Sequence, residues 1–154
     1  MDCRVPVCMS AACMRSAQFY ALHLDRLPKG LVSVAGNGLN TRVSTSDATQ
    51  MGLLLNGGAS RQDQLNRQFV ATQLNLLAQS SLSQSSLQSN LACYKLDFDS
   101  TALSNGAVLT PSMTLGELFN QVQVAGRSGT QADQRMLANV LGLLNGNDPT
   151  GRCK

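Results

Sequence analysis

Tryptophan is absent, tyrosine occurs twice and histidine once, and aromatic residues make up only 4% of the 154-residue chain. Carbohydrate sites usually rest on aromatic platforms, so a sugar-binding reading begins with few candidate residues. Charge is scarce as well: 14% of residues are charged, against roughly 25% in ordinary soluble domains. The net charge of +3 comes from 12 basic and 9 acidic side chains, with no run of Lys or Arg. Nucleic-acid binding needs a basic stripe that neutralises several phosphates together, so no nucleic-acid partner is expected.

Long apolar runs are missing too. The longest uncharged stretch, Gln68 to Tyr94, is broken throughout by Ser, Gln and Asn. A bilayer span requires about twenty predominantly apolar residues, and no membrane span is expected. Residues 1–12 contain no apolar core of about seven residues before a small-residue cleavage site, so no signal peptide is expected in this chain. The chain is then either cytoplasmic or a mature or excised piece with Met1 added. Cysteine usage decides between these in favour of export.

Catalytic signatures are equally absent. No G-x-S-x-G, Gly-rich phosphate loop, H-E-x-x-H or kinase motif occurs. His23-x-Asp25 pairs a general base with a carboxylate, but residues two apart on a helix diverge by about 200° and do not orient one another. The expectation is therefore no enzyme and no catalytic residue, with a hydrolase using His23 as the weakest alternative. Asp97 and Asp99 lack the Asp-rich loop and closing Glu of a calcium site. No metal and no cofactor are expected.

What the chain does contain is 43% hydrophobic residues, enough for a globular core. Ser, Gln, Asn, Thr and Gly stand where surface charges would, a composition common in secreted and cell-surface bacterial proteins. Five cysteines are present: Cys3, Cys8, Cys13, Cys93 and Cys153. The first three are spaced C-x4-C-x4-C, whereas zinc sites use paired short hooks such as C-x2-C. Disulfides are the better reading, with cysteines near both ends and one mid-chain. Cys13, Cys93 and Cys153 are assigned to the folded body, and Cys3 and Cys8 to an arm. Five is odd, so one thiol is left free or bonds another chain, and the connectivity stays open.

Periodicity gives the elements. A first helix over Ala11–Leu27 places Cys13, Ala17, Tyr20, Leu24 and Leu27 on one stripe, with His23 at its edge and Pro28 and Gly30 as its stop. Two β-prone runs flank Asn37-Gly38, the strongest short hairpin signal, which predicts a hairpin at about 31–45. A short helix starts at Thr45 or Ser46 as N-cap and stops at Gly57. Ser60-x-x-Asp63 then resembles a capping box opening a helix to about Gln79. Its apolar arc is wide: Leu65, Phe69 and Leu76 form one row, and Val70, Leu74 and Leu77 another. A helix with two such rows is contacted on two sides.

Between those rows fall Gln62, Asn66 and Gln73. Burying an amide unpaired costs about 1–3 kcal/mol, so these three are candidates either for gripping a ligand or for anchoring neighbouring loops. The Ser/Gln-rich stretch that follows reads as a helix ending near Tyr94 or as a connector. Thr114-x-x-Glu117 is a capping box for a helix stopping at Gly126, and Thr130-x-x-Asp133 opens a last helix ending at Gly146. Leu-Leu-Asn-Gly recurs at 54–57 and 143–146 as a shared helix ending. The predicted fold is mainly α: a compact, disulfide-stapled bundle of about five helices with one small β-hairpin. Residues 1–12 form an N-terminal arm, and residues 13–154 a single helical domain.

The order of elements resembles a known arrangement. Cys13 precedes Gln18-Phe19-Tyr20, then Leu27-Pro28 and the Asn-Gly hairpin. Gln68-Phe69-Val70-Ala71-Thr72-Gln73-Leu74-Asn75 follows, and a Leu-Asn-Gly ending precedes the terminal cysteine. Over residues 13–153 this is similar to an uncharacterised α-helical domain of large secreted or surface-displayed bacterial proteins. That resemblance implies export and attachment, not a reaction. The functional expectation is a non-enzymatic extracellular or cell-surface module with a structural, adhesive or self-assembly role, whose partners are proteins, other copies of itself included. The alternative is a binder of a small ligand or carbohydrate.

Overall fold

In a computed structural model of the chain, the described residues are 15–36, 39–56, 58, 60–79, 83–87, 103–104, 108–128 and 131–145. All five cysteines, the arm at 1–12 and the hairpin's Asn37-Gly38 tip lie outside them. In chain order the elements are α1 (Ala17–Ala21), a 3-10 turn (Leu24–Arg26), β1 (Leu31–Gly36), β2 (Leu39–Ser44), α2 (Ala48–Asn56), α3 (Arg61–Ala78), α4 (Leu115–Ser128) and α5 (Gln131–Asn145). The protein is mainly helical with one antiparallel hairpin, as the periodicity predicts.

α3 is the element around which the others are arranged. Ser60 caps it, its hydroxyl accepting from the Asp63 N–H at 3.0 Å, which satisfies one of the donors every helix start leaves open. The two apolar rows reach two different cores. Leu65 and Phe69 are buried with Leu115, Leu118 and Val122 of α4 and Leu137, Val140, Leu141 and Leu144 of α5, with Leu76 packed against them. Val70, Ala71 and Leu74 are buried instead with Ala17 and Tyr20 of α1, Val32 of β1, and Met51 and Leu55 of α2. Leu77, expected in the second row, is 38% exposed, and its side chain abuts Gly30 at the hairpin base.

The hairpin pairs Leu31 with Ser44 through to Gly36 with Leu39. Its base is closed by Thr45, whose N–H donates to the Gly30 carbonyl at 3.0 Å and whose hydroxyl accepts the Gly30 N–H at 3.1 Å. Thr45 is therefore spent on the hairpin, and neither it nor Ser46 caps α2. Asp47 takes that place: its carboxylate accepts from the Gln50 N–H at 3.1 Å and its carbonyl from the Met51 N–H at 2.9 Å.

Two further expectations are corrected, and a third lies partly outside the described residues. The first helix does not run from Ala11 to Leu27. Ser16, in extended conformation, caps α1 through the Phe19 N–H, and the helix stops at Ala21. His23 causes the stop: its ring Nδ1 lies 2.7 Å from the Phe19 carbonyl, the acceptor that its own backbone N–H would use in a continuing helix. In the Ser/Gln-rich stretch, Ser83 and Gln84 form a 3-10 turn, Ser86 is an isolated bridge residue and Leu87 is helical, while the expected helix end near Tyr94 lies outside the described residues. Ser86 bridges Thr114, with the Leu87 N–H on the Met113 carbonyl and the Leu115 N–H on the Ser85 carbonyl. Finally, α4 continues through Gly126 to Ser128. Its capping box is present: the Thr114 hydroxyl accepts from the Glu117 N–H at 3.1 Å, and the Glu117 carboxylate lies 3.4 Å from the Thr114 N–H.

Candidate functional site: an amide clasp along α3

The candidate amides sit on different sides of α3. Gln73 makes a two-point contact with β1: its Oε1 accepts from the Ser33 N–H at 2.7 Å, and its Nε2 donates to the Ser33 carbonyl at 2.8 Å. With Gly36 opposite Leu39, alternate residues of β1 turn their backbone groups away from β2. Ser33 is one of these, so Gln73 covers a strand edge that would otherwise be open. Gln62 faces α5, where its Oε1 accepts from the buried Gln134 at 2.6 Å. Asn66 is buried between them along the helix. The structure brings these three together on one helix but not into one pocket.

A second set of polar side chains does converge. Asn75 of α3 is 1% exposed and uses all four of its hydrogen-bonding positions. Its Oδ1 accepts from the Arg15 N–H at 2.8 Å and from the Tyr20 hydroxyl at 2.6 Å. Its Nδ2 donates to the Arg15 carbonyl at 3.0 Å and to Asn145 Oδ1 at 3.2 Å. Asn145, the last residue of α5 and also 1% exposed, is saturated in the same way. Its Nδ2 donates to the carbonyl and to Oε1 of Gln68, each at 3.0 Å. The Thr72 hydroxyl lies 2.9 Å from Asn145 Oδ1 and 2.8 Å from the Gln68 carbonyl, and shares its one proton between them.

The segment entering α1 and the end of α5 are thus fastened to the same half of α3. Burial pushes the Tyr20 hydroxyl up to about 12, opposed by the nearby Arg15 charge, so the phenol stays a proton donor to Asn75 at any ordinary pH. Among the described residues one buried side-chain oxygen lacks a partner, Gln121 Oε1 on α4.

His23 lies at the surface end of α1. A carbonyl only accepts, so the proton shared with Phe19 sits on His23 Nδ1. The imidazole stacks on Phe19 at 4.3 Å, and the Arg15 guanidinium lies over the same ring at 4.3 Å. Both groups are packed against the Phe19 ring, which is half-buried. Asp25 is turned to solvent beside Arg26 and does not orient the imidazole. A cleft of about 450 Å³ opens between the 3-10 turn, the hairpin base and the start of α2, with Leu24, Leu27 and Lys29 among its lining residues.

No group of His, Cys, Asp and Glu suited to a metal occurs among the described residues, and no helix among them is long and apolar enough to cross a membrane. No family model matches the chain, and neither a curated protein nor a solved structure matches it.

Sequence reasoning missed the converging set. Tyr20 falls on the predicted buried stripe, but Asn75 meets it across 55 residues of chain and Asn145 meets Gln68 across 77. The one usable signal was the density of amides on an otherwise apolar helix.

Proposed function

We propose that the protein is a non-enzymatic extracellular or cell-surface module with a structural, adhesive or self-assembly role, of the kind found in large secreted bacterial proteins. What supports the reading is where the buried polar atoms go. Asn75, Asn145 and Gln73 direct their amides at the chain's own backbone and at one another, which spends polar capacity on holding the shape. Low charge and five cysteines point to the same setting. On this reading Cys13, Cys93 and Cys153 staple the body, and an odd thiol or the arm bearing Cys3 and Cys8 meets another protein, a second copy included.

Intact mass after alkylation under denaturing conditions without reductant tests this, beside a reduced control. One adduct, or a disulfide-linked dimer with none, is expected for two intrachain bridges. Five adducts would remove both the staple and the oxidising compartment. Sedimentation at high concentration tests the partner: a strictly monomeric chain would end the self-assembly part. The cleft beside Leu24 and Lys29 favours a second reading, a small-ligand binder. A glycan and metabolite panel that leaves the melting temperature unmoved would reject it.

A further inference from the structure

Leu-Leu-Asn-Gly ends two helices, at 54–57 and at 143–146, and the two asparagines meet opposite surroundings. Asn-Gly is the dipeptide most prone to spontaneous deamidation, because glycine leaves the attacking backbone nitrogen unhindered. We propose that Asn145 is a conformationally gated deamidation site, silent while the clasp is closed and reactive once it opens.

In the reaction the Gly146 backbone nitrogen, having given up its proton, bonds to Asn145 Cγ. The Nδ2 group takes a proton and leaves as ammonia, giving a five-membered imide. Water opens the imide at either carbonyl to aspartate or isoaspartate, so the balance is asparagine plus water to the acid plus ammonia. Both side-chain groups that must move are held. Nδ2, the leaving group, donates two hydrogen bonds to Gln68, and Oδ1 accepts from Thr72 and Asn75. Asn56 is exposed, with one bond of 2.8 Å from its Nδ2 to the Gly52 carbonyl.

The product locks the change in. A carboxylate at position 145 has no proton for the Gln68 carbonyl, so that donor–acceptor pair becomes an acceptor–acceptor pair, and the Gln68 side-chain amide has to turn over to present its Nε2 in place of Oε1. A clasp that has reacted therefore does not close again, and modification accumulates in proportion to the time spent open.

The two identical tetrapeptides give an internal control. The intact protein is incubated at mildly alkaline pH, with and without urea, and both asparagines are followed by peptide mapping. In urea the two sites are expected to react at similar rates. In native buffer Asn145 is expected to slow by at least about tenfold, the protection of a closed structure, and Asn56 by much less. Equal native rates at the two sites would overturn the proposal. Loosening the clasp with Asn75→Ala, or with the milder Tyr20→Phe if the first does not fold, is expected to speed Asn145 and leave Asn56 unchanged. Acceleration of both or of neither would overturn it equally.

Discussion

The same four residues, Leu-Leu-Asn-Gly, finish α2 and α5, yet Asn56 stands in solvent and Asn145 is sealed among Gln68, Thr72 and Asn75. Both helices run to that asparagine, and in the sequence a glycine follows each. What differs is the neighbour. α2 ends beside Arg67, whose Nε donates to the Leu55 carbonyl at 2.9 Å, so a charged side chain from α3 completes that terminus and Asn56 is left to its own helix. α5 ends against the amides of α3, and its asparagine becomes part of the interior. A short motif thus sets where a helix stops, and tertiary surroundings set what its last side chain does.

The contrast can be broken most severely by Asn145→Asp. It places a carboxylate against the Gln68 backbone carbonyl in a buried site, with an expected loss of about 3 kcal/mol or more. Urea unfolding should show that loss near neutral pH. Burial raises the introduced acid's folded-state pKa, so the deficit should shrink as the pH falls and both states hold the proton. A variant as stable as the parent at pH 7 would mean that position 145 is wet.

A smaller effect is expected from Tyr20→Phe, about 1 kcal/mol for one lost hydrogen bond, because Asn75 keeps Arg15. It carries a pH signature. With the native hydroxyl pushed up to about 12 from 10.0, its stabilisation is whole below pH 10. It is lost between pH 10 and 12, where the unfolded chain has already ionised. The parent should therefore lose stability relative to Tyr20→Phe across that window, and parallel curves would show the phenol to be exposed. The least effect belongs to Asn56→Ala, within about 0.5 kcal/mol. A cost like that of a buried amide would erase the contrast between the two endings.

How much of this was legible follows from range. Ser60 and Thr114 act within three residues of themselves, and their capping roles were readable from spacing. The Asn-Gly hairpin and the double-sided α3 were readable because alternation and a 3.6-residue period are local. The failures have the opposite character. His23 ended α1 early by placing its ring on a carbonyl four residues back, which no apolar stripe reveals. Thr45 went to the hairpin base because Gly30 lies opposite it only after folding. The clasp depends on three segments meeting, and an asparagine at a helix end looks the same whether α3 lies behind it or water does. Of the candidate amides of α3, Gln73 bonds to β1 and Gln62 to α5, and spacing does not tell which element each would meet.

The claim that Asn75 and Asn145 act as one fastening is tested most directly by a double-mutant cycle. Urea unfolding of Asn75→Ala, Asn145→Ala and the double variant gives their coupling. The shared bond and common neighbours predict a double variant less destabilised than the sum of the singles, by about 1 kcal/mol or more. Strict additivity within about 0.3 kcal/mol would show two separate amides, and the account of a single clasp joining Arg15, α3 and α5 would be wrong.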